Sequence, residues 1–312
     1  MKTISLIIPH KNSSKLLERL LRSIPPTLDF QIIVIDDNSY ESELSEVEKL
    51  STLYNFELYY NNFELHTNTD KIETQANLKK TAIGAGAARN VGLQHATGDW
   101  ILFADADDFF LESISDAVLR HLESDYDVVY FNISSCHSDT LQPSYRDNHI
   151  KNITQKYLQT GEEGYLRYKY ISPWGKLIKR SLLTEHSITF EPIISGNDMI
   201  FSTLLGLAAG KIYYDPTAIY MLTRSANSLC TTHAQDTFDS KFMATLRVNK
   251  LLRKRGQGKF QSSILYFLFK SYQFGFKYVM RTILMCIKYK SNIFIGMNKI
   301  FNYKKVLKDR HN

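Results

Sequence analysis

Short apolar runs that end in polar or acidic residues recur through the first third of the chain. Ile4–Ile8 is closed by a proline, Gln31–Ile35 is followed by two aspartates, and Trp100–Ala104 leads into Asp105. Uncharged runs of this length predict buried strands. Between the first two runs, leucines recur at helical spacing after the polar stretch Asn12–Ser14, which is typical of a helix start. The pattern predicts a β-α-β unit and a parallel sheet whose functional loops follow the strand ends.

Two further apolar runs, Phe56–Tyr60 and Asp127–Asn132, predict additional strands, and the small residues of Ala82–His95 predict a helix. The polar stretch Ser134–Gln155 predicts an exposed excursion from the domain. Strands that alternate with helices in this way are typical of an α/β fold in which helices cover the sheet.

The chain has 312 residues, of which 44% are hydrophobic and 22% are charged. These values exclude a collagen-like, coiled-coil or wholly disordered chain. The three cysteines, Cys136, Cys230 and Cys286, are too widely separated to indicate a disulfide framework or a zinc site. The apolar run at the start is shorter than a signal peptide requires, so we expect a reducing, cytoplasmic location.

The charge is unevenly distributed along the chain. Residues 250–312 contain 15 lysines and arginines and one acidic residue, Asp309, whereas residues 1–249 are net acidic. At helical spacing, four of these cations fall within an arc of about 40°, and apolar residues separate them; they are Lys270, Lys277, Arg281 and Lys288. The region is predicted to be basic, amphipathic and mostly helical.

No uncharged apolar stretch of residues 250–312 approaches the ~20 residues that cross a bilayer. We therefore interpret this region as one that lies on the anionic inner face of the plasma membrane and makes the protein peripheral there. Packing of the same helices on the rest of the chain is the alternative. Nucleic acid is not an expected partner, because the acidic body contains no recognition module.

An acidic cluster follows the run Trp100–Ala104. Asp105 and Asp107 are two positions apart, so in extended geometry they share a face, and Asp108 follows directly. Carboxylates that converge in this way suit a hard divalent cation, Mg²⁺ or Mn²⁺. A solvated acidic turn that caps a following helix is the alternative.

Two other polar segments are predicted to lie on the same rim of the sheet. Asp36 and Asp37 end the second run, and the segment from Pro9 to Asn12 ends the first. Because ligands bind at this rim in open α/β sheets, the three segments predict a nucleotide pocket with a metal at its diphosphate end. Asp37 can accept a hydrogen bond from a base N–H. A dinucleotide-binding site is disfavoured, since no glycine-rich turn follows the first run.

Ordered motifs carry a resemblance to a known family. They are Ser5-Leu-Ile-Ile-Pro-His-Lys-Asn, Val34-Ile-Asp-Asp-Asn-Ser, Gly86-Ala-Ala-Arg-Asn-Val-Gly-Leu, Phe103-Ala-Asp-Ala-Asp-Asp, Trp174-Gly-Lys-Leu-Ile and Ser195-Gly-Asn-Asp-Met. The chain resembles the family 2 inverting glycosyltransferases of the GT-A fold. The resemblance implies a mixed sheet flanked by helices. The expected catalytic domain spans residues 1–249, with a nucleotide-binding half to about residue 110 and an acceptor half beyond it, and residues 250–312 form the extension.

The resemblance also implies a nucleotide-diphosphate sugar donor, usually a uridine nucleotide, bound through a divalent metal. By resemblance Pro9 and Asp37 would frame the base, with His10 and Asn12 beside them. Arg89 would lie near the diphosphate. Asp105 and Asp107 would face the ribose and the metal, with Asp107 nearer to the metal.

Inverting transfer requires a base that removes the acceptor hydroxyl proton. The family typically places it in a Glu-Asp pair at the start of a helix; here Asn197 replaces the glutamate, so Asp198 is the predicted base. The alternative is that Asp198 only stabilises a helix start. His233 is a candidate additional metal ligand or a plain surface residue. Trp174 would stack against a sugar ring of the substrate, or it would pack in the core. Lys176 would bind a phosphate group, or it would be exposed to solvent.

The predicted function is therefore that of a hexosyltransferase. It would pass a sugar from a nucleotide donor, with inversion, to a saccharide or lipid-linked acceptor in the synthesis of a bacterial surface polysaccharide such as capsule, O-antigen or lipopolysaccharide. A sugar-nucleotide pyrophosphorylase is the alternative enzyme, but its glycine-rich, basic loop is absent near the N-terminus. A non-catalytic saccharide-binding or scaffold protein would not need both Asp107 and Asp198.

Overall fold

The computed structural model describes residues 2–61, 84–224, 235–292 and 295. The chain divides into two compact units, Met1–Ser228 and Leu229–Asn312. The boundary expected between residues 249 and 250 falls inside the helix Gln235–Lys254, which continues through it. The second unit begins earlier because this helix already supplies core residues to it, before the change in charge.

One sheet of eight strands forms the centre of the first unit. The strands are β1 (Ile4–His10), β2 (Phe30–Asp36), β3 (Glu57–Tyr60), β4 (Trp100–Phe103), β5 (Phe109–Phe110), β6 (Val128–His137), β7 (Lys176–Lys179) and β8 (Ile212–Arg224). Their order is β3-β2-β1-β4-β7-β6-β8-β5. The first four of these are parallel, β7 is antiparallel to both neighbours, and β5 is antiparallel to β8. The mixed sheet is therefore confirmed.

The helices of the described part of the first unit lie between these strands in the chain. They are α1 (Ser14–Arg22), α2 (Glu41–Tyr54), α3 (Ala85–His95), α4 (Ile114–Leu119), α5 (Asn148–Thr160), α6 (Gly164–Lys169), α7 (Arg180–Glu185) and α8 (Asn197–Ala208). The exposed excursion expected over Ser134–Gln155 is wrong in part. β6 continues to His137, and α5 has a buried side formed by Ile150 and Ile153.

Helix α8 is held at its carboxyl end and along its inner face. The Arg167 guanidinium on α6 donates hydrogen bonds to the carbonyl groups of Gly206 at 3.1 Å and Gly210 at 3.0 Å. Gly206 permits this close approach, because a Cβ atom there would lie 2.1 Å from the Arg167 carbonyl oxygen. The ring of Phe201 stacks on that of Phe190 with centroids 3.9 Å apart. These contacts determine where the amino end of α8 lies.

The second unit has a small helical core of its own. Its described helices are α9 (Gln235–Lys254), α10 (Leu265–Ser271) and α11 (Phe276–Lys288). The core side chains are Phe242, Leu246, Ile264 and Cys286. The basic face expected across Lys270–Lys288 is divided, because the chain turns at residues 272–275 and leaves Lys270 on a separate helix. Among the described residues, no helix combines the length and the hydropathy of a membrane span.

We expect Gly206→Ala to lower the free energy of unfolding by about 1–3 kcal/mol, because the added methyl group must displace backbone atoms of Arg167. Gly258→Ala is the matched control, since a Cβ atom there would meet only the Gln261 side chain, at 4.0 Å. Urea unfolding of both variants, followed by circular dichroism, measures the difference. Equal stability of the two variants would contradict the close packing of α6 on α8.

Candidate active site

The carboxyl ends of three neighbouring parallel strands meet at one edge of the sheet. β1 pairs with β2 on one side and with β4 on the other. Pro9 is buried within β1, and His10 lies beside Asp36 in the register. Asp37 follows β2 directly, and Asp105 follows β4 after one alanine. The three polar segments predicted at strand ends therefore lie side by side, where open α/β sheets bind ligands.

The acidic loop Asp105–Asp108 brings three carboxylates together. One oxygen from each of Asp105, Asp107 and Asp108 lies within 4.8 Å of the others. The backbone carbonyl of Asp107 accepts hydrogen bonds from the Arg19 guanidinium and the Thr223 hydroxyl, both at 2.6 Å. The loop is thus tied to α1 and to β8, and this fixed backbone makes the like charges converge.

Asp108 anchors the loop on its inner side. It is 1% exposed, and its carboxylate accepts the Tyr220 hydroxyl at 3.0 Å and the Thr223 backbone N–H at 2.7 Å. The Tyr220 oxygen also accepts the backbone N–H of Asp105 at 2.8 Å. Burial, and then the neighbouring Asp107 and Asp105 carboxylates, raise the pKa of Asp108 well above its ordinary value. Asp108 therefore positions the loop from within.

The Asp105 carboxylate is held by two donors. Arg89 Nη2 lies 2.5 Å from Oδ1, and the indole N–H of Trp174 lies 3.2 Å from Oδ2. Arg89 is 4% exposed, and its guanidinium lies 5.3 Å from the ring centroid of Phe190. Trp174 stacks on Tyr220 with centroids 5.8 Å apart and 15° between the planes. The half-buried indole therefore packs on the core and also orients Asp105.

The three carboxylates of the acidic loop fit a hard divalent cation, and Asp107 is the main candidate ligand among them. Among the described residues, no other residue donates a hydrogen bond to the Asp107 carboxylate. Burial and then the Asp105 charge raise the pKa of Asp107, and Arg146 and Arg19 oppose this rise. A cation relieves such crowding, and Mg²⁺ and Mn²⁺ prefer carboxylate, phosphate and water oxygens. Asp105, whose two oxygens already have donors, is less free than Asp107 to bind a cation.

Asp37, the residue expected to contact the base, is 5% exposed. Its Oδ1 accepts the Asn61 amide at 2.7 Å and the Gly84 backbone N–H at 3.1 Å. Its own backbone N–H donates to the His10 carbonyl at 2.8 Å. Within the part of the chain that is described, Oδ2 has no hydrogen-bond donor, so this oxygen can accept a ligand N–H.

His10 and Asn12 have supporting positions. His10 is 1% exposed; its Nδ1 lies 3.2 Å from Asp36 Oδ1, and its Nε2 accepts the Ser13 backbone N–H at 3.1 Å. The side-chain oxygen of Asn12 accepts the Tyr40 backbone N–H at 2.8 Å. Both side chains thus connect the loops after β1 and β2. Both ring nitrogens of His10 have partners within the protein, and its expected contribution to donor binding stays a prediction.

Helix α8 carries Asp198 in its first turn. The amino ends of α3 and α8 touch at Gly86, where a Cβ atom would lie 2.7 Å from the Cβ of Asn197. Asn90 fastens the segment before α8 by exchanging two hydrogen bonds with the Phe190 backbone, at 2.8 and 2.9 Å. Asn197, the residue that departs from the family pattern, therefore fills a packing contact against α3.

The charges around Asp198 connect it to the acidic loop. Burial raises its pKa, and the Asp105 carboxylate acts in the same direction. Arg89 and Lys176 favour the charged carboxylate and oppose the rise. Arg89 therefore acts on two carboxylates, on Asp105 through an ion pair and on Asp198 through space.

The structure corrects one sequence expectation and adds residues that the sequence did not indicate. Lys176 is 1% exposed and donates to backbone carbonyls, so it meets neither phosphate nor solvent. His233 lies outside the described residues. The added residues hold the site together; they are Arg19, Asn90 and Tyr220. The sequence did not indicate them, because an arginine on an amphipathic helix or a tyrosine in a strand carries no local signal of such a role.

The matched family is "Glycosyl transferase family 2", over residues 5–186. The poly(ribitol-phosphate) beta-N-acetylglucosaminyltransferase TarS of Staphylococcus aureus is 29% identical over 222 residues, which are 68% of this chain and 34% of TarS. The putative glycosyltransferase EpsH of Bacillus subtilis is 24% identical over 247 residues, 76% of this chain and 65% of EpsH. The chain thus spans about a third of TarS and just under two thirds of EpsH.

A crystal structure of S. aureus TarS 1-349 in complex with UDP-GlcNAc has the same fold. Its TM-score is 0.56 at 23% identity, and the match covers 79% of this chain and 65% of that chain. The family match includes β1 to β4, the acidic loop and β7. It supports the glycosyltransferase prediction over the pyrophosphorylase alternative. On its fold, its strand-end motifs and the extent of this match, the chain belongs to the family 2 glycosyltransferases.

Proposed function

We propose that this protein is a metal-dependent, inverting hexosyltransferase that uses a UDP-sugar as donor. Its acceptor is a saccharide or lipid-linked saccharide in the synthesis of a bacterial surface polysaccharide, such as capsule, O-antigen or lipopolysaccharide. The observation that carries the proposal is the convergence of the Asp105, Asp107 and Asp108 carboxylates, within 4.8 Å of one another, at the carboxyl end of β4. The name of TarS, a transferase that acts on poly(ribitol-phosphate), supports a polymeric acceptor.

In this proposal the strand-end residues bind the donor. Pro9 and Asp37 frame the uracil, Asp105 faces the ribose, and Arg89 supplies positive charge near the diphosphate. Asp107 would be the principal ligand of Mn²⁺ or Mg²⁺, with Asp105 as a further ligand. When bound, the cation would neutralise charge on the diphosphate and on the leaving group.

Asp198 acts as the general base. Its carboxylate takes the proton of the acceptor hydroxyl while that oxygen attacks the anomeric carbon. The bond from the anomeric carbon to the diphosphate oxygen breaks on the opposite face, and its electron pair leaves with UDP. Attack from that face inverts the configuration. Because only the carboxylate form can accept the proton, activity falls as the pH drops through the raised pKa of Asp198.

Asp107→Ala is expected to abolish transfer and to weaken binding of UDP in the presence of Mn²⁺, because the main metal ligand is lost. The backbone carbonyl of Asp107 remains, so the bonds from Arg19 and Thr223 can still hold the loop. Calorimetric titration with Mn²⁺ and with UDP measures the loss. Asp125→Ala, which removes an exposed carboxylate, is the control. Full activity in EDTA would contradict metal dependence.

Asp198→Asn is expected to leave UDP binding nearly unchanged and to lower turnover at least ~10²-fold, the scale on which general bases contribute. Asp116→Asn is the matched control, because Asp116 is an exposed carboxylate in the first turn of α4. Turnover is measured as UDP release during a screen of UDP-glucose, UDP-galactose and UDP-N-acetylglucosamine. Lost UDP binding with retained turnover would make Asp198 structural and place the base elsewhere.

The second part of the proposal is peripheral association with an anionic inner-leaflet surface through α11. At 100° per residue, its exposed apolar side chains fall within an arc of about 100°. These side chains, called the apolar stripe below, are Phe276, Met280, Ile283, Leu284 and Ile287. The cations Lys277, Arg281 and Lys288 fall immediately beside the stripe, and the buried residues Tyr278, Thr282 and Cys286 lie on the far side.

This arrangement fits an interfacial helix whose apolar side chains enter the lipid while its cations meet the headgroups. Arg281 is also paired with Asp239 at 2.9 Å, so Lys277 and Lys288 are the stronger candidates for lipid contact. Truncation before Lys250 would cut α9 and separate Leu246 from Ile264 in the core. Substitutions in the full chain are therefore the cleaner test.

The double variant Leu284→Ser/Ile287→Ser is expected to lower binding to anionic liposomes about tenfold or more, because two apolar side chains no longer enter the lipid. Leu53→Ser/Leu158→Ser, at equally exposed positions of the first unit, is the matched control. Lys277→Gln/Lys288→Gln should weaken binding only to anionic vesicles and at low salt. Liposome flotation measures all three. Equal flotation of the stripe and control variants would overturn the association.

A further inference from the structure

Lys176 is a buried cation at the start of β7, and it is 1% exposed. Its Nζ donates to the carbonyl oxygens of Tyr170 at 2.7 Å and Ser172 at 2.6 Å, and to the hydroxyl of Ser202 at 3.2 Å. These three acceptors match the three hydrogens of an ammonium group. Such bonds are what a buried ammonium needs to offset its lost hydration.

The acceptors of Lys176 belong to two parts of the site. Residues 170–172 lead to Trp174, whose indole orients Asp105. Ser202 lies on α8, one turn after Asp198, and its hydroxyl donates to the Ile171 carbonyl at 2.6 Å. Lys176 and Ser202 together therefore fasten the segment before Trp174 to the helix that carries Asp198.

We propose that Lys176 is a positioning residue for glycosyl transfer, a buried side chain that holds α8, the helix that carries Asp198, against the Trp174 segment. The inference rests on the proposed role of Asp198 as the base. Lys176 itself touches neither donor nor acceptor.

The charges that face Asp198 come from several elements. They are Arg89 on α3, Asp105 in the acidic loop and Lys176 on β7, and the segment before α8 also carries Glu191. Arg89 is paired with Asp105 at 2.5 Å and is still the stronger of the two cations that favour the charged form of Asp198. The three hydrogen-bond partners of Lys176 are neutral, so the Lys176 charge adds to that effect.

The effect is mutual. Burial lowers the pKa of Lys176 to about 7, and the Asp198 carboxylate opposes that fall. The rings of Tyr130 and Tyr170, with centroids 5.5 and 5.0 Å from Nζ, present faces that also favour a cation. The charged form of each residue therefore supports the charged form of the other.

Lys176→Met tests the proposal because methionine keeps the apolar stem and removes the charge and the donors. We expect kcat to fall about 10- to 100-fold, the scale of a small misplacement of reacting groups, with UDP binding in Mn²⁺ unchanged. The acid limb of the kcat–pH profile should move to higher pH, because the Asp198 carboxylate loses a stabilising cation. Lys179→Met, at the other end of β7, should change neither property.

Ser202→Ala separates the two parts of the role. It removes the bridge to Ile171 and leaves the Lys176 charge, so kcat should fall while the acid limb stays in place. If Lys176→Met does not fold, Ser202→Ala becomes the deciding variant. An unchanged kcat of Ser202→Ala would then overturn the proposal that Lys176 and Ser202 fasten α8 to the Trp174 segment. A lower melting temperature of Lys176→Met with an unmoved acid limb would reduce Lys176 to a structural residue.

Asp198→Asn distinguishes failure of this inference from failure of the proposed function. If Asp198→Asn retains turnover, the base assignment fails, and the acid limb belongs to another group. If Asp198→Asn is inactive while Lys176→Met keeps the wild-type kcat and pH profile, only the role of Lys176 is overturned.

Discussion

The ion pair between the buried Arg89 and the half-buried Asp105 is the constraint on which the site depends. A guanidinium that is 4% exposed requires a carboxylate partner, because a buried charge without one is strongly destabilising. Arg89 belongs to α3, and Asp105 follows β4, so satisfying the pair fixes that helix against the acidic loop. The same guanidinium stabilises the charge on Asp198. One cation therefore sets the mutual positions of three elements that are distant in the sequence.

The acidic loop contains like charges, whereas Arg89 and Asp105 form an attractive pair. Its three carboxylates lie within 4.8 Å and repel one another. They remain together because Tyr220 and Thr223 bind Asp108, and because Arg19 and Thr223 bind the backbone of Asp107. The loop is thus held by groups that do not compete for the Asp107 carboxylate. Such an arrangement is preorganised for a cation, because binding relieves repulsion and requires little movement of the chain.

The two units differ in how much apolar surface they bury and how much they leave exposed. The first buries a large core, and the candidate catalytic groups lie at the strand ends of its sheet, as in other open α/β folds. The second has a smaller core in its described residues, which includes Phe242, Leu246 and Ile264, and it leaves the apolar stripe of α11 exposed. Exposed apolar surface next to lysines is typical of a surface that meets another phase or partner. In the proposal, that phase is the anionic leaflet from which a lipid-linked acceptor is supplied.

The resemblance to a known family indicated Asp198. The sequence by itself determined the strands β1, β2 and β4, the parallel order that brings their carboxyl ends together, and the candidate residues Asp37 and Asp107. It could do so because period and polarity are local and report which side of an element faces the core. Only the tertiary structure decided that Lys176 is buried, that His10 bonds internally, that Tyr220 holds the acidic loop, and that the basic face across Lys270–Lys288 is divided between two helices. Tyr220 bonds Asp108 across 112 positions and Arg19 bonds Asp107 across 88. Which residues bond over such sequence separations depends on how the packed helices and strands meet in space. No local sequence pattern carries that information.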